Sequence, residues 1–68
     1  MNEQLRLLRR PQVVDRTGLR PTLIDSLERR GEFPRRVKIS ERAAGWIEHE
    51  VNDWIAQRIA ASRPRSQP

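Results

Sequence analysis

Glycine and proline punctuate the first half of this chain so closely that no helix there can exceed about three turns. Pro11 and Gly18 bracket one segment, Pro21 and Gly31 bracket the next, and Pro34 follows at once. Proline suits a first helical turn, where its missing N–H would have no acceptor anyway. Glycine just past the last turn takes up the left-handed conformation that ends a helix. The punctuation predicts a helix from about Pro11 to Thr17, with Val13, Val14 and Thr17 inward, and a second from Pro21 to Arg30. Leu23, Ile24 and Leu27 give the second helix an apolar face, and Arg29 and Arg30 suit the negative end of its dipole. Two short helices joined by Gly18-Leu19-Arg20, with Leu19 buried in the connection, make a helix-turn-helix.

From Phe33 the period changes. Val37 and Ile39 alternate with Arg36, Lys38 and Ser40, the pattern of a half-buried strand with a basic outer face. Pro34 removes a ladder hydrogen bond, so the hairpin starts after it or lies at a sheet edge. Ser40 to Ala44 is the expected turn and Gly45-Trp46-Ile47 the return strand, a small wing. The alternation around Arg6 suggests a short strand at residues 5–8. Ile47, Val51, Trp54, Ile55 and Ile59 then form one stripe at helical spacing, and Glu48, Glu50 and Asp53 lie where a helix dipole favours negative charge. This predicts a helix from Glu48 to about Ala61. Residues 1–61 read as one domain and residues 62–68, with two prolines and no apolar side chain, as a disordered tail.

A chain of 68 residues buries too little surface to support a deep catalytic cleft beside a core. It has no Cys and a single His, so neither disulfides, a metal nor any cofactor is expected to support it. Glu48, Glu50 and Asp53 are too helix-local for paired-carboxylate catalysis, and Ser26, Ser40 and Ser62 have no partnering base. No enzyme is expected. No apolar run reaches the length of a membrane span, and Met1-Asn2-Glu3-Gln4 lacks the order of a signal peptide, which reads as a cytoplasmic protein with no membrane role.

The net charge of +5 favours an anionic partner, nucleic acid being the commonest. Thirteen of the fourteen basic residues are Arg, which a GC-rich coding sequence alone would produce, so placement carries more weight than composition. Residues 29–42 hold six basic and two acidic residues, and residues 47–68 hold three of each. The positive field is local.

The runs RLLRRPQVVDRTGL, RGEFPRRVKIS and GWIEHEVNDWIAQR resemble the AlpA-like regulators and the phage excisionases over about residues 5–58. The most specific parts are Gly31-Glu32-Phe33-Pro34 followed by the basic and apolar alternation, and Gly45-Trp46 with Glu50-Val51 and Trp54. The resemblance implies a mainly α fold with a small β-hairpin wing, a winged helix-turn-helix related to that of MerR regulators. It also implies a protein that binds DNA, regulating phage or mobile-element genes or directing an integrase towards excision. One departure lies in the second helix, where Asp25 and Ser26 stand in place of the family's usual Tyr and Arg. Asp25 would read a base, orient Arg29 by an i, i+4 pair, or weaken binding.

An α-helix fits the major groove, so Arg20, Thr22, Asp25, Ser26 and Arg29, with Arg30 at the helix end, are the candidates for the reading helix. Arg35, Arg36, Lys38, Ser40 and Arg42 on or beside the wing, with Arg16 of the first helix, are the candidates for phosphate or minor-groove contact. Charge that only protects an edge strand is the plain alternative for the wing. Trp46 and Trp54 lie in apolar register and read as core rather than as base-stacking platforms. His49 falls off the stripe and reads as solvated. The expected partners are duplex DNA, an integrase for an excisionase-like use, and further copies of the chain on tandem DNA sites. The rival class is a protein-interaction module using Val51, Trp54, Ile55 and Ile59.

Overall fold

The computed structural model describes residues 5–63; Gly18, Gly31 and Pro34 fall between elements, and Pro11 and Pro21 fall in the first turns of helices. Strand β1 (Leu7–Leu8) leads into helix α1 (Arg10–Thr17), followed by helix α2 (Pro21–Arg29). Strands β2 (Val37–Ser40) and β3 (Ala43–Ile47) form the hairpin, and helix α3 (Glu48–Ser62) follows without a break. The three strands make one antiparallel sheet in the order β1-β3-β2. Three helices and this small sheet are the expected mainly α winged helix-turn-helix.

Local chemistry explains the corners. Gly18 closes α1 at φ 75° with its N–H on the Val14 carbonyl, and Gly31 follows α2 at φ 77°. Thr17 Oγ1 donates to the Val13 carbonyl at 2.8 Å and accepts from Leu19 N–H at 3.1 Å, so the turn between α1 and α2 satisfies its own polar groups. Neither α1 nor α2 has a side-chain N-cap. Proline in the first turn of each removes one N–H that would have no intrahelical acceptor, and Gln12 Oε1 accepts from Arg9 N–H at 2.8 Å at the start of α1.

Leu8, Val13, Ile24, Leu27, Phe33, Trp46 and Val51 form the core, with Val14, Leu19, Trp54 and Ile55 packed against it. Every helix and two of the three strands contribute, so the core ties together all the elements except β2. Burial of each such large side chain contributes about 1.5–3 kcal/mol relative to exposure. Gly45 marks the tightest point of the sheet. A Cβ there would lie 2.7 Å from the Leu8 carbonyl oxygen and 3.0 Å from Ile39 Cδ1. Only a residue without a side chain lets β1 approach β3 this closely.

Several expectations require correction. Leu23 is 40% exposed, because Ile24 and Leu27 set the inward direction of α2 and Leu23 lies to one side of it. Ile59 is 50% exposed, because the stripe on α3 runs past the end of the core at Ile55. The hairpin turn is only Glu41-Arg42, since Ser40 already pairs with Ala43. Neither turn residue has a positive φ, so the turn is not of the primed types. A bulge between Lys38 and Ser40 adds the twist that a primed turn would give.

The sidedness of the wing also differs from the expected one. Lys38 pairs with Ala44, and Ala44, Trp46 and Arg36 border one hollow, so the basic face of β2 is the face that carries buried Trp46. Val37 and Ile47 border a groove beside α3 instead, and Ile39 at the bulge is 42% exposed. The basic side of the strand therefore turns towards α1 and α2. Finally, α3 includes Ser62, whose Oγ donates to the Arg58 carbonyl at 3.1 Å. The rest of the expected tail, from residue 64, lies outside the described residues.

Candidate nucleic-acid interface

Because Ile24 and Leu27 face inward, the polar face of α2 is Thr22, Asp25, Ser26 and Arg29, spaced i, i+3, i+4, i+7. Thr22 and Arg29 are exposed, and Asp25 and Ser26 are partly buried. Arg20 is the N-cap of α2 and is also exposed. Arg30 is the C-cap and pairs with Glu32 at 3.3 Å, at the corner of Gly31 rather than on the Thr22–Arg29 line. A depression of about 380 Å³ separates α2 from the start of the wing and is lined by Asp25, Glu28, Arg29, Arg35 and Arg36. Recognition-helix and wing candidates thus meet in one seam.

The seam is held by a charged cluster over an aromatic floor. Arg36 Nη2 donates to Glu28 Oε1 at 2.6 Å and to Asp25 Oδ1 at 2.7 Å, and its backbone N–H donates to Glu28 Oε2 at 2.6 Å. Arg10 Nη2, from the start of α1, donates to the same Asp25 Oδ1 at 3.0 Å. Both guanidinium groups lie over the Trp46 ring, Arg36 at 5.0 Å and Arg10 at 5.4 Å from the centroid. The Trp46 Nε1 is buried with no partner among the described residues, so this indole serves by its volume and its electron-rich face, not by its donor.

The electrostatics follow from these bonds. The side-chain bond from Arg36 holds the Asp25 carboxyl below its usual range, against partial desolvation, with Arg10 adding to the effect. Burial opposes the charge on Glu28, but the side-chain and backbone bonds from Arg36 outweigh it and hold Glu28 low as well. The Glu28 bond, opposed by desolvation and aided by Asp25, pushes Arg36 further up. All of these groups are charged at neutral pH, and Arg10, Arg36, Asp25 and Glu28 together are neutral.

The remaining candidates divide by their commitments. Arg16 donates to Glu48 Oε2 at 2.8 Å and Asn52 Oδ1 at 3.0 Å, so it ties α1 to the first turns of α3. The expected alternative of an Asp25–Arg29 pair is not formed, because Asp25 is taken by Arg10 and Arg36. Arg20, Arg29, Arg35, Lys38 and Arg42 make no ion pair among the described residues, and Arg20, Arg29, Arg35, Lys38, Ser40 and Arg42 are all exposed. Five guanidinium or ammonium groups thus stand uncommitted along α2 and the wing. Sequence reasoning missed Arg10 and Glu28. An acidic residue on an otherwise basic face was the one available signal that Asp25 needed partners from elsewhere in the chain.

A second aromatic corner fixes the other side of the hairpin. Trp54 Nε1 donates to the Glu32 carbonyl at 2.8 Å, and the Phe33 and Trp54 rings meet edge to face at 4.9 Å. The segment Gly31 to Pro34 is thereby anchored on α3, which sets where the wing leaves α2.

Residues 6–59 match the family described as Prophage CP4-57 regulatory protein (AlpA). The chain belongs to this family. Among its relatives, the DNA-binding transcriptional activator AlpA of Escherichia coli (strain K12) is 35% identical over 60 residues, which cover 79% of this chain and 86% of that protein. An uncharacterized protein, ORF88, of Enterobacteria phage P4 is 40% identical over 60 residues, covering 88% of this chain and 68% of the phage protein. The family match spans all six elements apart from the end of α3. This AlpA-family chain has no described helix long and apolar enough to cross a membrane. Among the described residues, no group of three or more His, Cys, Asp and Glu side chains is placed to hold a metal ion.

Proposed function

We propose that this chain binds duplex DNA site-specifically and regulates transcription, with α2 in the major groove and the β2–β3 wing on the adjacent backbone or minor groove. The observation that carries the reading is the seam. The polar face of α2 and the segment leading into β2 border one depression, lined by Asp25, Glu28, Arg29, Arg35 and Arg36, and Arg20, Arg29, Arg35, Lys38 and Arg42 make no ion pair among the described residues. Cations with no internal partner are what phosphates recruit, with release of counterions as the driving force. Membership of the regulator family, with a relative named as a DNA-binding transcriptional activator, supports the same reading.

Arg20 and Arg29 are the base-reading candidates, and Arg35, Lys38, Ser40 and Arg42 the backbone candidates. Arg16 and Arg36 act on DNA only by leaving or sharing their internal partners. We place their main role in holding the reading surface together. Gel-shift titration against fragments flanking the gene at two salt concentrations tests the function. Affinity should fall steeply with salt while fragment preference persists, and no retardation at low salt would sink the reading. Lys38→Ala or Arg42→Ala should weaken all duplexes alike and reduce the salt slope by about one, whereas Arg20→Ala should relax sequence preference.

An excisionase-like use, in which copies on tandem sites bend DNA for an integrase, is the second reading. The likeness to a phage protein and to a prophage regulatory family favours a mobile-element setting for it. It predicts that the purified chain stimulates integrase-dependent excision on a plasmid carrying both attachment junctions. A regulator alone changes transcription and leaves excision unaffected.

A further inference from the structure

We propose that Asp25 is a base-reading residue that selects cytosine by accepting a hydrogen bond from its N4 amino group. The inference rests on the DNA-binding reading above and assigns one position of the site. Asp25 stands between Thr22 and Arg29 on the polar face of α2 and lines the depression shared with the wing. Its side chain is 39% exposed.

The two bonds that hold it leave one oxygen for a ligand. Arg10 and Arg36 both donate to Oδ1, at 3.0 and 2.7 Å, while Oδ2 has no partner among the described residues. Two fixed donors on one oxygen orient the carboxylate before any ligand arrives. They also remove the usual objection to an acidic residue at a DNA surface. Asp25 and Glu28 are balanced by Arg10 and Arg36, so the cluster is neutral and phosphates meet no net negative charge where the single acceptor projects.

An acceptor with no proton to donate discriminates among base edges. Guanine presents the acceptors O6 and N7 in the major groove and thymine presents O4, so both repel a carboxylate oxygen. Adenine pairs its N6 donor with an adjacent N7 acceptor, which suits an amide that both donates and accepts. Cytosine offers N4–H with no acceptor of its own at that edge, and it is the base a carboxylate matches best.

The test is selection of bound sequences from a randomised duplex pool by the full chain and by Asp25→Asn and Asp25→Ala, with a melting curve for each protein. The original chain should fix one C·G pair that Asp25→Ala no longer fixes, and Asp25→Asn, whose free NH2 can only donate, should shift that position away from cytosine towards a base that presents an acceptor, guanine or thymine. On single-site probes, replacing the cytosine should cost the original chain about tenfold in affinity and Asp25→Ala less than about twofold. If Asp25→Ala fails to melt cooperatively, Asp25→Asn decides the matter, because its amide oxygen still accepts from Arg10 and Arg36. The same selected sequence from all the proteins, or equal weakening on every duplex, overturns the assignment and leaves Asp25 as a tie for Arg36. Absence of any bound duplex for the original chain rejects the DNA-binding reading itself, a distinct result.

Discussion

The two tryptophans sit under arginines in the same way and are held by opposite means. Trp54 is partly buried, spends its Nε1 on the Glu32 carbonyl, meets Phe33 edge to face, and is covered by Arg58 at 5.1 Å. Trp46 is 1% exposed, has no Nε1 partner among the described residues, and is covered by two arginines bridged by Asp25, one of which, Arg36, also pairs with Glu28. The Trp54 corner is self-contained packing, which would serve any small domain. The Trp46 corner links the core directly to the charged surface, so a change in one is felt in the other.

The comparison breaks most visibly on truncation. Trp46→Ala removes the largest fully buried side chain and should cost about 3–5 kcal/mol, close to the whole stability of a small domain. Trp54→Ala, at a partly exposed site, should cost about 2 kcal/mol and leave a cooperative transition. Urea unfolding followed by circular dichroism measures both, and equal losses would remove the distinction drawn between the corners.

Gly45→Ala comes next. The added Cβ would press on the Leu8 carbonyl, which is backbone and cannot swing away, so β1 must separate from β3 over Trp46. A loss of about 1–3 kcal/mol is expected, with faster amide exchange in β1 and β3 than in α3. Uniform exchange across the chain would show that the strain is not local to the Trp46 corner.

Legibility in the sequence follows the same division. Both helix boundaries around Gly18, the start of α2 at Pro21 and the stripe Val51, Trp54 and Ile55 could be read, because local punctuation and a fixed period encode them. The Trp54 corner was half visible in Gly31-Glu32-Phe33-Pro34, since a conformationally free residue before an aromatic one implies a turn packed on something. The Trp46 corner was not visible. Its partners are residues 10, 25, 28 and 36, drawn from two helices and a loop, and ion pairs across such distances leave no periodic trace. The direction of the wing was misjudged for a related reason: alternation tells which residues share a face but not which face meets the core. Of the candidate site residues, those on α2 followed from the helical period. Arg16 and Arg36 were legible as cations, but their internal partners were not.

A smaller effect separates the two covering arginines. Arg36→Met keeps an alkyl stem over Trp46 but leaves Glu28, whose side chain is 11% exposed, without its cation. It should cost about 1–2 kcal/mol, since the pair is at the surface edge rather than deep in the core. Arg58→Met only exchanges one cover of Trp54 for another and should stay within about 0.5 kcal/mol. Thermal melts at neutral pH compare them, and a difference within error would reduce the Arg36 cluster to surface decoration.

The smallest expected effect is the dependence on pH. Asp25 and Glu28 are both held below their usual pKa values in the folded chain, so the stabilisation they give is complete above about pH 4–5, where the unfolded carboxyls are also ionised. It is lost as the pH falls through the folded values, because protonation then removes bonds that only the folded state makes. Melting temperature should therefore drop on acidification, and Glu28→Gln, which lacks one of the titrating groups, should drop less than the original chain. The Trp54 corner is built on a backbone carbonyl and an aromatic contact and has no titrating group in its bonds. Trp54→Phe should lose stability by a similar amount at every pH, giving a curve parallel to that of the original chain. If Glu28→Gln gives the parallel curve instead, the cluster over Trp46 contributes nothing that depends on its charge, and the two corners are held by the same kind of force after all.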